Sequence, residues 1–309
     1  MIYTCTMNPA IDLFCEMKRF VPEAVNRSVF EEYQPNGKGI NVSIVLQKLG
    51  MQSTALGFIG GFSGRFIKEE LDSMGISNNF VDIDGITRIN TFIQSEDGEY
   101  KVVNGGPEVS KEKQKVLIEQ ISKLGSEDVL FVSGSLPKGV DREILLDIAN
   151  ISVERNFKLI WDISEPILKE LVTYHPYLIK PNIDEFKNIF PDAMIETDAD
   201  LIRYGKMLVA SGVENLIISM GDKGAWLFNT SGVLKSDAPE GQVVNTACSG
   251  DALLGTFYNA YAQGKHPVDA LAEAVAAGSS TAFTSGLTDF KDVADLKQTI
   301  KITEVEGAL

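Results

Sequence analysis

Histidine is almost missing from this chain: among 309 residues only His175 and His266 are present. A histidine metal site and a serine–histidine triad are both improbable on numbers alone. Cysteine is nearly as scarce. Cys5, Cys15 and Cys248 are odd in number and lack metal-ligand spacing, so they are read as reduced thiols rather than a disulfide framework. Basic residues are in deficit, with 28 Lys and Arg against 43 Asp and Glu, a formal charge of -15 and a pI ≈ 4.6. So acidic a chain argues against a nucleic-acid or membrane-surface partner. No apolar run is long enough to cross a bilayer, and the opening MIYTCTMNPAID lacks the basic flank and apolar block of a signal peptide. The expected location is cytoplasmic. Internal repeats, low-complexity tracts and linkers are missing too, which points to one folded unit.

What is present is a rhythm. Apolar residues make up 44% of the chain, enough for a sizeable core. Short apolar runs alternate with helical patterns from end to end, the signature of βα units and a mostly parallel sheet. Strands are expected at Ile2 to Met7, Thr54 to Phe58, Val129 to Ser133, Lys158 to Asp162, Leu178 to Lys180 and Leu216 to Ser219. Helices are expected between them, the last two from about Asp251 to Gln263 and Val268 to Thr284. Two stretches break the pattern. Arg27 to Tyr33 and Thr91 to Val103, with a turn at Asp97-Gly98, read as an antiparallel β flap on the ligand edge of the sheet.

The densest chemistry lies in Asn245-Thr-Ala-Cys-Ser-Gly-Asp-Ala-Leu-Leu-Gly255, where small residues end in Gly250-Asp251 as an apolar helical pattern begins. Small residues let backbone N–H groups converge, the first helical turn leaves its own N–H groups unpaired, and the helix dipole adds positive charge. An anion can bind there with Asp251 facing it; read locally, Asp251 is a residue capping a helix after a loop. Pro35-Asn-Gly-Lys-Gly-Ile-Asn41 leads into the first amphipathic helix. Its glycines allow a ligand close to the backbone, Lys38 supplies a point charge and Asn41 a two-way amide, though the spacing is not that of a Walker loop.

Asp12, in Asn8-Pro-Ala-Ile-Asp12, stands just past the first strand, suited to sugar hydroxyls or to closing a turn. Ser135, in Ser133-Gly-Ser-Leu-Pro137, has the same two readings. In Lys180-Pro-Asn-Ile-Asp-Glu185, Asn182 and Glu185 have the spacing of a capping box, and that geometry would also let Glu185 hold a magnesium-bound water near a phosphate. Ser219-Met-Gly-Asp-Lys-Gly224 either cradles nucleotide phosphates on backbone N–H groups or makes a hairpin turn.

Taken in order, these motifs, together with Val25-Asn-Arg27, Gly57-Phe-Ile-Gly-Gly61 and Thr87-Arg88, resemble the phosphofructokinase-B branch of the ribokinase-like carbohydrate kinases over essentially the whole chain. Within that branch the lysine-containing loop and the Val-Asn-Arg segment are most similar to 1-phosphofructokinases and tagatose-6-phosphate kinases. The resemblance implies an α/β fold of the ribokinase-like three-layer α/β/α kind, with a mostly parallel central sheet. It implies a single kinase domain over 1–309 and a small β-sheet lid, about 13–33 and 89–103, that also serves a homodimer.

It further implies ATP and Mg2+ as cofactors, and γ-phosphoryl transfer to a sugar phosphate: fructose 1-phosphate to fructose 1,6-bisphosphate, with tagatose 6-phosphate the alternative acceptor. Asp251 would be the base, and the backbone N–H groups of Cys248, Ser249, Gly250 and Asp251 would form the anion hole. Asp12, Gly37, Gly39, Asn41 and Ser135 would meet the sugar, while Lys38, Arg88 and Arg27 would hold its phosphate. Lys180, Asn182, Ser219, Gly221, Asp222, Gly224 and Gly250 would line the nucleotide, and Glu185 would reach the metal through water.

Two positions depart from the family pattern. The usual Gly-Ala-Gly-Asp reads Cys248-Ser-Gly-Asp251, and Asn36 replaces a glycine at the start of the substrate loop. A side chain at 248 must avoid glycine-only backbone or accept strain. At a helix start its thiol would be acidified if accessible, or inert if buried. Cys248 also keeps open a rival class, a phosphosugar-binding regulator without turnover.

Overall fold

Successive residues of the apolar runs face opposite ways, and two helical layers follow from this. In Val129–Ser133, Leu130 and Val132 join a core with Ile144, Leu145 and Ile148 of the helix Glu143–Arg155, on one face. Val129 and Phe131 join Leu253, Leu254 and Phe257 of the helix Ser249–Ala262, on the other. Lys158–Asp162 and Asn215–Ser219 repeat the division: Leu159, Trp161, Leu216 and Ile218 point to the first layer, Ile160 and Ile217 to the second. Strands buried on both faces read as unbroken apolar runs, as these do. The result is the expected α/β/α sandwich.

The computed structural model describes residues 1–305. Among them the large sheet has eleven strands. From Asn215–Ser219 through Leu178–Ile179, Lys158–Asp162, Val129–Ser133 and Ile2–Thr6 to Thr54–Ile59 the pairing is parallel. An antiparallel edge of Ala225–Asn229, Gly232–Ser236 and Ile302–Val305 completes one side. The expected strands of the large sheet and the last two expected helices fall within a few residues of their observed bounds.

The smaller sheet differs from expectation in its pairing. It has four strands, in the order Phe30–Asn36, Ala10–Glu16, Arg88–Ser95 and Gly98–Val102. Its central pair, Ala10–Glu16 with Arg88–Ser95, is parallel, flanked by two antiparallel pairs. A parallel pair needs a long crossover, and the intervening chain supplies one by building the first helix and part of the large sheet. Asp12 is therefore inside a strand and not in a turn. The first strand ends at Thr6, and a second begins at Ala10, directly after the Asn8-Pro9 break that concealed it.

Ile2–Thr6 pairs with Thr54–Ile59 on one side and with Val129–Ser133 on the other, so the connection order reverses around it. Open α/β sheets place their ligands beyond the carboxyl ends of the strands at such a point. There Asn8 Nδ2 donates to Ser135 Oγ at 3.3 Å.

Close backbone approach at this edge explains one glycine. Gly57 has φ +140°, and a Cβ on it would lie 1.9 Å from the Thr6 carbonyl oxygen. Gly57→Ala is therefore expected to destabilise the fold by ~3 kcal/mol or more, read by denaturant unfolding, because neither strand can give way. A loss under ~0.5 kcal/mol would show that this approach is not as tight as described.

Candidate active site

Three neighbouring parallel strands each deliver one polar side chain to the same edge. Asp162 closes Lys158–Asp162, Lys180 follows Leu178–Ile179, and Ser219 closes Asn215–Ser219. From the opposite layer, Lys38 and Asn41 come from the start of the helix Lys38–Lys48, and Asp251 from the first turn of Ser249–Ala262. These groups share a cleft of ≈ 1060 Å³ with Asn182, Glu185, Gly221, Asp222, Gly224, Cys248, Ser249 and Gly250.

Asp162 was not anticipated as a functional residue, yet it organises the cleft. Its side chain is fully buried, with Lys38 Nζ 3.0 Å and Lys180 Nζ 3.4 Å from Oδ1, while Oδ2 is buried without a partner. Burial pushes its carboxyl up, but the two ammonium groups outweigh this and hold it below the ordinary aspartate value. Its place at the carboxyl end of a buried strand was the available signal. Lys180 also stands behind the anion loop: a Cβ on Gly250 would lie 3.1 Å from its Nζ.

Asp251 is 5% exposed and has a different environment. Asn41 Nδ2 donates to its Oδ2 at 2.8 Å. Burial, reinforced by the charge of Asp162, pushes its carboxyl up to about 7, against the opposing pull of Asn41, Lys38 and Lys180. A carboxylate of that basicity can accept a proton near neutral pH. Lys38 stays firmly protonated: burial lowers its affinity for the proton, but Asp162, Glu185 and Asp251 raise it further.

Asp12 lies outside the cleft lining. Its two oxygens accept from Asn90 Nδ2 at 2.8 Å and from Asn36 Nδ2, and burial raises its carboxyl above the ordinary value despite these donors and Arg88. Arg88 donates to the carbonyls of Asn8, Pro9 and Asn104. Ser135 is exposed beside Asn8. Arg27 stands apart, exposed in the loop after Ala10–Glu16. Lys138, unremarked in the sequence, is a further cation here: a Cβ on Gly105 would meet its Cε at 3.0 Å, while the next residue, Gly106, faces Arg88.

The glycines at 37 and 39 have another reason than ligand approach. Added Cβ atoms would lie 2.5 Å from Thr6 Cγ2 and 2.6 Å from Thr6 Oγ1, so the loop packs on the end of the first strand. Thr6 Oγ1 in turn accepts from Ile40 N at 3.0 Å. Asn182 and Glu185 do form a reciprocal capping box, and Glu185 Oε1 also accepts from Ser164 Oγ and lies 3.9 Å from Lys38 Nζ. Ser219 to Gly224 is both things at once: it turns the chain into an antiparallel hairpin and lines the cleft.

A model of the pfkB family carbohydrate kinases matches residues 6–293. The chain belongs to that family. The kinase is 46% identical, over 99% of its length and 100% of the relative's, to D-tagatose-1-phosphate kinase of Bacillus licheniformis. It is 37% identical, over 99% of both chains, to 1-phosphofructokinase of Borreliella burgdorferi. Phosphofructokinase-2 of Escherichia coli, solved with substrates and products, superposes with a TM-score of 0.90 at 25% identity, covering 96% of this kinase and 98% of that chain. Among the described residues no helix is long and apolar enough to cross a membrane.

Cys248 accepts the strain anticipated for it. It caps the helix Ser249–Ala262 with φ 63° and ψ -5°, a left-handed backbone that favours glycine. Its thiol is not acidified. Burial, with the charges of Asp251 and Asp12, drives it well above the usual thiol range and overrides the helix terminus. Cys248→Gly is expected to stabilise the kinase by ~1 kcal/mol in thermal or denaturant unfolding. Iodoacetamide at pH 7.5 should leave Cys248 of the native protein unlabelled by mass spectrometry. Ready labelling would contradict this account of the thiol.

Proposed function

We propose that this kinase transfers the γ-phosphoryl group of ATP to the C6 hydroxyl of fructose 1-phosphate, giving fructose 1,6-bisphosphate. The observation that carries the reading is Asp251, a buried carboxylate of raised basicity beside a glycine-containing helix start backed by Lys180. Asp251 takes the proton as the sugar oxygen forms its bond to the γ-phosphorus. The bond from phosphorus to the β,γ-bridging oxygen breaks, ADP leaves, and Asp251 returns its proton to solvent. The backbone N–H groups of Cys248 and Gly250, with Lys38 and Lys180, oppose the negative charge spread over the transferring group. Those of Ser249 and Asp251, read from the sequence as part of the same hole, donate to the carbonyls of Thr246 and Cys248. A regulator without turnover would not need a carboxylate held at this basicity.

Asp12, Asn41 and Ser135 support recognition of the sugar, and Arg88 the phosphate already on it. Lys38, placed in the sequence reading with that phosphate, is assigned here to the transferring group, because it is paired with Asp162 and Glu185 in the cleft. Among the described residues no group of three or more His, Cys, Asp and Glu side chains is gathered to hold a metal. Magnesium fits nonetheless, since it takes few protein carboxylates and keeps waters. The unpartnered Asp162 Oδ2 and, through water, Glu185 would hold it, and it would offset phosphate charge. The small sheet carries Asp12, Arg88 and, in its loop, Arg27, which supports a lid. Exposed Val25, Val29, Phe30, Tyr33 and Val102 support burial of that sheet in a homodimer.

A second acceptor has its own support. The 46% identical relative acts, by its name, on D-tagatose 1-phosphate, which differs from fructose 1-phosphate only in the configuration at C4 and leaves the same C6 hydroxyl free. Initial rates of ADP release with fructose 1-phosphate, tagatose 1-phosphate, tagatose 6-phosphate and fructose 6-phosphate decide the acceptor. The 1-phosphates are expected to be preferred; preference for a 6-phosphate would overturn the assignment of the acceptor hydroxyl. Asp251→Asn keeps size and the Asn41 contact but removes the proton acceptor, so turnover should fall about a hundredfold or more. Turnover near the parent's would remove Asp251 from the role of base.

A further inference from the structure

The departure from the family pattern at Asn36 stands at a junction. Asn36 closes the strand Phe30–Asn36 and lines the cleft, while Asp12 lies behind it. Its Nδ2 donates to Asp12 Oδ2, and its Oδ1 accepts from Gly37 N and, at 2.9 Å, from Asn41 Nδ2. The same Asn41 Nδ2 lies 2.8 Å from Asp251 Oδ2 and 3.2 Å from Cys248 Sγ. One continuous chain of hydrogen bonds therefore runs from Asp12 through Asn36 and Asn41 to Asp251. A glycine at 36 would end it, leaving Asp12 with Asn90 and Asn41 with Asp251 and Cys248 but nothing between them.

We propose that Asn36 is a positioning residue that ties the carboxylate at the sugar end of the site to the carboxylate at the phosphoryl-transfer end. Asn36 does not touch the reacting atoms. It acts through its two amide ends, one fixing the rotamer of Asp12 and the other sharing the amide of Asn41 with Asp251. Buried polar chains of this kind are rigid when every member is satisfied, so a displacement at one end is felt at the other. Sugar seated on Asp12 would then favour the alignment of Asp251 in this chain by a route that a glycine cannot offer.

The Asp12 end can be cut alone, or both ends together. Asn36→Asp preserves shape and the acceptor for Gly37 and Asn41 but loses the donor to Asp12 and sets two carboxylates face to face. KM for the sugar phosphate is expected to rise about tenfold, with KM for ATP within about twofold of the parent. That penalty should shrink as pH falls towards 5.5, because the facing carboxylates then share a proton. Asn36→Ala cuts both ends, and kcat should fall about tenfold as well. A side chain that merely supported the fold would change neither the KM ratio nor its pH dependence.

The inference rests on the sugar-phosphate reading, and the parent's own acceptor panel tests that reading by itself. A readout without substrate tests Asn36 alone: with selective 15N-asparagine labelling, the side-chain amide resonance of Asn41 should move in Asn36→Ala. Asn36→Ser serves the same purpose should the alanine variant not fold. A KM within twofold of the parent at every pH in Asn36→Asp would overturn the proposal. So would an Asn41 amide resonance that stays in place when Asn36 is removed.

Discussion

Asp162, Lys180 and Asp251 are taken out of water at one edge of a parallel sheet beside the half-buried Lys38, and the rest of the site is arranged around how these charges are shared. Asp162 draws both Lys38 and Lys180, at 3.0 and 3.4 Å, and stays ionised. Asp251, as deeply buried, receives only the neutral amide of Asn41 at short range. Removing both ammonium groups would leave the buried Asp162 carboxylate without compensation, which is among the costlier defects a fold can carry. Two carboxylates of one residue type are thereby driven in opposite directions, one to hold cations and the other to accept a proton.

This division has a cost in stability that the fold carries as part of its function. Asp251 has a folded pKa of about 7, above the ~3.9 of an unfolded aspartate, so the native state binds its proton more tightly. The corresponding stabilisation is complete below about pH 4 and is lost as pH rises through about 7. At the pH where Asp251 is competent as a base, it therefore weighs against the fold. Cys248 adds left-handed strain one turn away. Both are tolerated because the helix that presents them has Leu253, Leu254, Phe257 and Tyr258 packed into the core.

Much of this was legible in the sequence, for reasons that can be named. Strands buried on both faces, such as Val129–Ser133, announce themselves as short apolar runs, and the helix after Gly250 follows from small residues giving way to an apolar period. The small sheet was only half legible, because its strand Ala10–Glu16 starts directly after Pro9 and its partner in the parallel pair lies far along the chain. Gly37 and Gly39 were read as making room for a ligand, whereas the space above them is filled by Thr6. Asp162 was passed over because a lone acidic residue at the end of a run carries no motif; its meaning comes from two lysines brought from distant segments. Between an acidified and an inert Cys248 the sequence could not choose, since burial and two neighbouring carboxylates cannot be read from a helix start.

The central claim is that this environment makes Asp251 a base near neutral pH, and it is tested most directly without substrates. A 13C NMR titration of the aspartate carboxyl groups, with the Asp251 signal assigned by its loss in Asp251→Asn, reads that carboxyl alone. The account requires a midpoint at about 7 for Asp251. A midpoint in the ordinary aspartate range, near ~4, would contradict it.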